Sequence, residues 1–238
     1  MQACNERKFA LAGYHPRMTA KPGLRERKRE RARRALADAA ITLFSTRGYE
    51  ETTIADLAAA ADISPRTFFS HFASKEDVLF ADPPLRLTTL ASILAAPRPD
   101  ETPAGLLVRA IRAAIQETDL TGEPQRARAA LIISTPALHV GALRKVIEGQ
   151  RGMTQALLDV FPGRLDRVSA SSLVGAVLGA LVGAITMLYA DPVRSVELGE
   201  DPQRMREELD RVLCMVCTDL AAVDVHAPSD TGAVHGVG

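Results

Sequence analysis

Apolar positions recur along this chain at helical spacing and rarely alternate as strand residues would. Leu36, Ala40, Leu43 and Phe44 follow an i, i+4, i+7, i+8 pattern that predicts a first helix ending at Gly48. Ile54, Leu57, Ala58 and Ala61 form one face of a short second helix, with Thr53 as its N-cap and Asp56 three residues on. Asp62-Ile63 is the turn. Ser64-Pro65 opens a third helix, because a serine hydroxyl satisfies an unpaired N–H and proline at N1 gives up no hydrogen bond. Ser74 with Asp77 repeats the start signal for a fourth. Beyond the loop PRPDETP (97–103), further helices are expected at about 103–119, 124–134, 136–161, 165–190 and 202–223, punctuated by Gly122, Pro136, Pro162-Gly163 and Pro192. The fold class expected is all-α: an N-terminal three-helix helix-turn-helix module followed by a larger helical body.

Composition agrees, with Ala, Leu, Arg and Glu abundant and Trp absent over 238 residues, a length that can bury a sizeable core. Formal net charge is zero, but its distribution is uneven. Met1 to Lys75 carry 14 Lys+Arg against 8 Asp+Glu, and the remainder carries 15 against 21. A basic module that meets a polyanion, joined to an acidic body, fits that asymmetry. Cys4, Cys214 and Cys217 make no disulfide framework, and no signal peptide is visible at the N-terminus, so a cytoplasmic location is expected. Residues 1–23 read as a disordered leader, with Met18 an alternative start, 24–81 as the helix-turn-helix domain, 82–225 as the helical body and 226–238 as a disordered tail.

The segment ISPRTFFSHFASKE, Ile63 to Glu76, concentrates three of the chain's seven phenylalanines. Phe68 and Phe72, an i, i+4 pair, anchor the third helix on the first two, since so small a module needs large side chains to bury enough area. Arg66, Thr67, Ser70 and His71 then face outward beside Lys75. That face suits a major groove, where arginine can bond guanine bidentately and threonine can meet a thymine methyl or a phosphate. The bland alternative is a solvated face of a small bundle; turn, caps and basic lead-in together favour DNA.

The run TTIADLAAAADISPRTFFSHFASKEDVL, Thr52 to Leu79, resembles the DNA-binding domain of the tetracycline-repressor (TetR) family of bacterial regulators. The resemblance spans roughly Arg25 to Phe80 and implies a homodimer that inserts the third helix of each subunit into a major groove. It also implies a small-molecule effector, bound in the larger domain, that changes half-site spacing. By the same resemblance Thr53 and Lys75 touch phosphates, Arg66 and Thr67 lie nearest base edges, and His71 sits against the backbone, with Ser64, Phe69 and Ser70 completing the candidate set. Two positions depart from the family pattern. Asp62 stands where a turn glycine is usual, and Phe69 where a tyrosine often bonds a phosphate, so Phe69 offers packing only. The TFF-x-x-F-x-SKE wording resembles a subgroup that includes the mycofactocin regulator.

In the body, Asp82-Pro83-Pro84 interrupts the fourth helix or restarts it, a hinge or a passive kink at the domain junction. Gln116, Thr135, His139, Gln150 and Thr154, with Ser134, are the candidate polar groups of an otherwise apolar effector pocket; individually each fits an ordinary interhelix hydrogen bond as well. Gly175, Gly179 and Gly183 recur every four residues in the long apolar run Leu173 to Ala190, a stripe on which another helix can lie close. With Met205, Leu209, Val212, Leu213, Val216 and Leu220 of the last helix, that stripe is expected to form a four-helix dimer interface. The run is just long enough for a membrane span, but its serine-rich and acidic flanks argue for a soluble helix. Cys214-x-x-Cys217 lacks a second pair or a nearby His cluster, so packing is expected there and no metal. No cofactor is called for. No nucleophile–base pair or phosphate loop supports an enzyme, and no catalytic residue is assigned. The favoured reading is a ligand-responsive homodimeric repressor with a double-stranded DNA operator as partner; the alternative is a constitutive architectural DNA-binding protein without effector.

Overall fold

The computed structural model describes residues 23–81, 84–117, 119, 122–191 and 201–221, and among them every regular element is helical. Helices α1 (Leu24–Arg47), α2 (Ile54–Ala60) and α3 (Pro65–His71) are followed by a 3₁₀ turn, Glu76–Phe80. The body consists of α4 (Pro84–Leu94), α5 (Pro103–Gln116), α6 (Glu123–Ser134), α7 (Pro136–Val160), α8 (Arg167–Ala190) and α9 (Pro202–Ala221). The leader, Asp82-Pro83, Pro192, the tail, and the side chains of Cys217 and Leu220 lie outside the described residues.

Local chemistry sets the boundaries of the first three helices. Gly48 terminates α1 at φ 96°, a backbone conformation that a side chain would strain, and its N–H donates to the Phe44 carbonyl. Thr53 and Asp56 form a reciprocal capping box on α2. Asp62 takes the left-handed conformation, φ 53°, that the turn demands in place of glycine. The Ser64 hydroxyl accepts from the Thr67 N–H at 3.1 Å, with Pro65 in the first turn. The fourth start signal yields less than expected. Ser74 does accept from the Asp77 N–H, at a long 3.4 Å, but five residues of 3₁₀ turn follow rather than an α-helix, and the α-helix resumes only at Pro84.

Two apolar clusters organise the chain. The first joins Leu36, Ala40, Phe44, Tyr49, Leu57, Phe68, Phe72, Val78 and Leu79, and it also takes in Leu138 from the start of α7, with Leu131 and Ile132 of α6 packed against it. The N-terminal module is therefore completed by residues from well downstream in the chain. The second cluster joins α4, α5, α7, α8 and α9 around Leu106, Leu107, Leu157, Val177 and Met205. Between α6 and α7 the chain bends by 107° at Thr135, which turns this corner onto the N-terminal module. There Arg144 pairs with Asp77 of the 3₁₀ turn, and Gly141 lies so close to Phe80 that an added Cβ would stand 2.7 Å from the ring.

Candidate nucleic-acid interface

Helix α3 is held from beneath. Phe68 is fully buried and Phe72 nearly so, their rings 5.9 Å apart, and burying such a ring contributes about 1.5–3 kcal/mol. Arg33 of α1 stacks 4.4 Å over Phe72 and donates to the carbonyl of His71 at 2.6 Å, so it satisfies a backbone acceptor at the C-terminal end of α3. With the inner side fixed, the outer side is set by helical spacing. Arg66, Phe69 and Ser70 are exposed, Thr67 is half-buried, and Phe69 is 58% exposed, an apolar ring facing solvent beside the arginine. The Ser64 and Thr67 hydroxyls lie 2.8 Å apart, and Ser70 donates to the Thr67 carbonyl at 2.6 Å. Arg66 is the exposed long donor on this face, and its guanidinium is of the kind that can bond a base edge bidentately.

His71 is half-buried at the end of α3, and its Nδ1 has no partner among the described residues. Burial first, then the positive charges of Arg29 and Arg33, push its pKa below the ordinary imidazole value, so the ring is neutral at neutral pH. Thr53 is exposed at the start of α2, with its hydroxyl in the capping box 2.5 Å from Asp56. Lys75 points elsewhere. Its ammonium lies 4.0 Å over the Tyr49 ring and donates to the Tyr49 carbonyl at 2.9 Å and more weakly to that of Thr52. Beside it the Tyr49 hydroxyl donates to Glu76. Burial, followed by that hydrogen bond and the neighbouring carboxylates, raises the Tyr49 pKa, so the phenol stays protonated. Lys75 thus ties the α1–α2 loop to the 3₁₀ turn, a role that spacing alone did not reveal because its partners lie 23 and 26 residues away. Arg33 was likewise missed, although its place three residues before Leu36 on the apolar stripe could have signalled it.

The candidate effector residues do not converge. Gln116 is exposed at the end of α5, and Ser134 is exposed at the end of α6. Thr135 sits at the α6–α7 corner, where the exposed His139 ring lies 3.2 Å from the Ile133 carbonyl. Only Gln150 and Thr154 face inward together. Gln150 donates to the carbonyl and hydroxyl of Ser171 on α8, and Thr154 is 7% exposed with a hydroxyl that has no partner among the described residues.

The candidate dimer residues divide as well. Gly175 is covered within the subunit by Gln150, 3.1 Å from where a Cβ would stand, whereas Gly179 and Gly183 have open space above them. Leu209 and Leu213 are 1% exposed and committed to the subunit's own core, which corrects their assignment to a surface between copies; Val212 and Val216 are half-buried. Cys214 is exposed and accepts from Arg112, which also pairs with Asp210. Helix α8 is the one helix among the described residues long and apolar enough to cross a membrane.

Comparison with known proteins falls on the module built above. Residues 36–81 match the family model for bacterial regulatory proteins of the tetR family. The HTH-type transcriptional regulator TcmR of Streptomyces glaucescens is 37% identical over 157 residues, 63% of this chain and 64% of that protein. The proposed mycofactocin biosynthesis transcriptional regulator MftR of Mycobacterium tuberculosis is 31% identical over 117 residues, 47% of this chain and 57% of that protein. The chain therefore spans less than two thirds of the length of either relative. A TetR family transcriptional regulator from Pseudomonas syringae pv. tomato matches 79% of this chain and 95% of its own at 21% identity and a TM-score of 0.44, too loose to transfer any residue's role. Residues 36–81 thus form a helix-turn-helix domain of the kind found in bacterial regulatory proteins of the tetR family.

Proposed function

We propose that the chain is a homodimeric transcriptional regulator of the cytoplasm, a repressor that a small hydrophobic effector releases from its DNA operator. The observation that carries this reading is α3 itself: Phe68 and Phe72 are locked beneath it while Arg66, Thr67, Phe69 and Ser70 stand on its outer side. Nothing in this arrangement calls for catalysis. Dimerisation is supported by α8, whose Val168, Ala176, Gly179, Gly183 and Met187 form an exposed, largely small and apolar stripe, the surface on which a second copy of the helix can pack closely.

The effector site is best placed at Thr154 and Gln150. A buried hydroxyl without a partner destabilises a fold by about 1–3 kcal/mol, and a ligand that accepts or donates there removes that penalty. The mechanism is a population shift: an effector that binds the mis-spaced dimer more tightly than the DNA-bound one lowers operator affinity by the same free energy. Selection from a random duplex pool, with sedimentation of the complex, tests the reading. The expected result is an enriched site with two related half-sites, bound by two copies of the chain. Equal binding to all duplexes would favour a constitutive architectural protein instead.

A further inference from the structure

Helix α1 is longer than its core requires. Its first buried side chain is Leu36, and in the three turns before it, residues 24–35, Glu30, Ala32 and Arg33 are half-buried and the rest are exposed. Those turns hold seven Lys and Arg against Glu26 and Glu30, and cations at a helix N-terminus oppose the helix dipole, while like charges four residues apart repel. Such an arrangement weakens the isolated helix and is relieved by a polyanion. The direction of the charge is also set. Continued toward the N-terminus, the stripe that buries Leu36, Ala40 and Phe44 passes through Arg33, Arg29 and Arg25 at i, i+4 spacing. Arg33 is fastened to the end of α3 through the His71 carbonyl, and the charge of Arg29 is felt at the His71 ring, so this row starts where the recognition helix ends. Arg25 and Arg29 are exposed.

We infer that Arg25 and Arg29 are a second DNA contact, set against the phosphate backbone beside the groove that α3 enters. The inference rests on the DNA-binding reading and adds to it a site outside the helix-turn-helix. Arg33 acts as the positioning residue that fixes α1 to α3, and Arg25 and Arg29 supply charge without base preference.

The test compares the wild-type chain with the Arg25→Ala, Arg29→Ala double variant on the duplex enriched from a random pool, embedded in long flanks or trimmed to the core site. Alanine is at least as good a helix former as arginine, so the variant should keep the wild-type helical signal and melting temperature. The expected result is the same enriched sequence, bound about tenfold or more weakly at 0.1 M salt on the long duplex, with a salt slope shallower by about 0.9 for each phosphate that the variant no longer neutralises. Trimming the flanks should weaken the wild type and leave the variant unmoved. Selective wild-type binding with unchanged affinity and slope in the variant overturns this inference alone. Failure of the wild type to bind any duplex overturns it together with the DNA-binding reading.

Discussion

The N-terminal module and the helical body are both all-helical with an apolar cluster each, yet they place their polar ties differently. In the module, polar groups from distant parts of the chain are tied to one another: Lys75 to the Tyr49 carbonyl, Tyr49 to Glu76, Arg33 to His71. In the body, the buried cluster is made of aliphatic, Met and Phe side chains, the ties Arg112 to Asp210 and Gln150 to Ser171 lie between half-buried residues at its margin, and the buried Thr154 hydroxyl has no partner among the described residues. Directional bonds fix one geometry, whereas apolar faces can slide at smaller cost. The seam between module and body sets Phe80 against Gly141 and pairs Asp77 with Arg144.

The largest expected effect removes the module's anchor. Phe68→Ala should lower stability by about 3–5 kcal/mol and melt residues 24–81 before the body, seen as loss of hydrogen-exchange protection confined to α1–α3. Uniform loss across both regions would show that they unfold as one unit. Lys75→Ala should cost about 1.5–3 kcal/mol by removing the donor to two carbonyls, and leave the salt slope of DNA binding unchanged. A flattened slope at unchanged stability would return Lys75 to the phosphate-binding role that family resemblance suggests.

At the seam, Gly141→Ala sets two effects against each other. Alanine favours the helix by about 1 kcal/mol, while the new methyl meets the Phe80 ring. A net loss of about 1 kcal/mol in urea unfolding is expected, and a net gain would mean that the seam yields freely. The smallest effect is in the body. Hydrogen bonds from Arg109 hold the Glu101 carboxyl at about 2 against a little burial that opposes them, so its contribution is present above the ordinary carboxylate pKa and is lost as pH falls through about 2. Glu101→Gln should therefore lower the melting temperature slightly at pH 7 and flatten its decline as pH falls from about 4.5 to about 2. Parallel melting curves for the two proteins across that window would mean that the carboxylate adds nothing to the fold.

What could be read from the chain followed the same division. Caps and turns are local, so Thr53, Asp62, Ser64 and Gly48 declared their roles within a few residues of themselves. The spacing of Phe68 and Phe72 fixed which side of α3 faces out. Lys75 defied that reading because its partners, Tyr49 and Thr52, are set by how the 3₁₀ turn packs against α1 and the loop that follows it. In the body, helix positions were legible from apolar period and proline, but convergence of Gln116, Thr135, His139, Gln150 and Thr154 was not. Polar residues on different helices share a site only if crossing angles bring them together, and here only Gln150 and Thr154 share an inward face.

The central claim is that α3 reads base edges, and Arg66 is its most exposed test. Fluorescence anisotropy of wild type and Arg66→Ala on the selected duplex and on a scrambled one measures affinity and preference together. A loss of about 1–3 kcal/mol per half-site on the selected duplex, with little change on the scrambled one, is the predicted result. Equal affinities of the two proteins on both duplexes would contradict it and remove α3 from the groove.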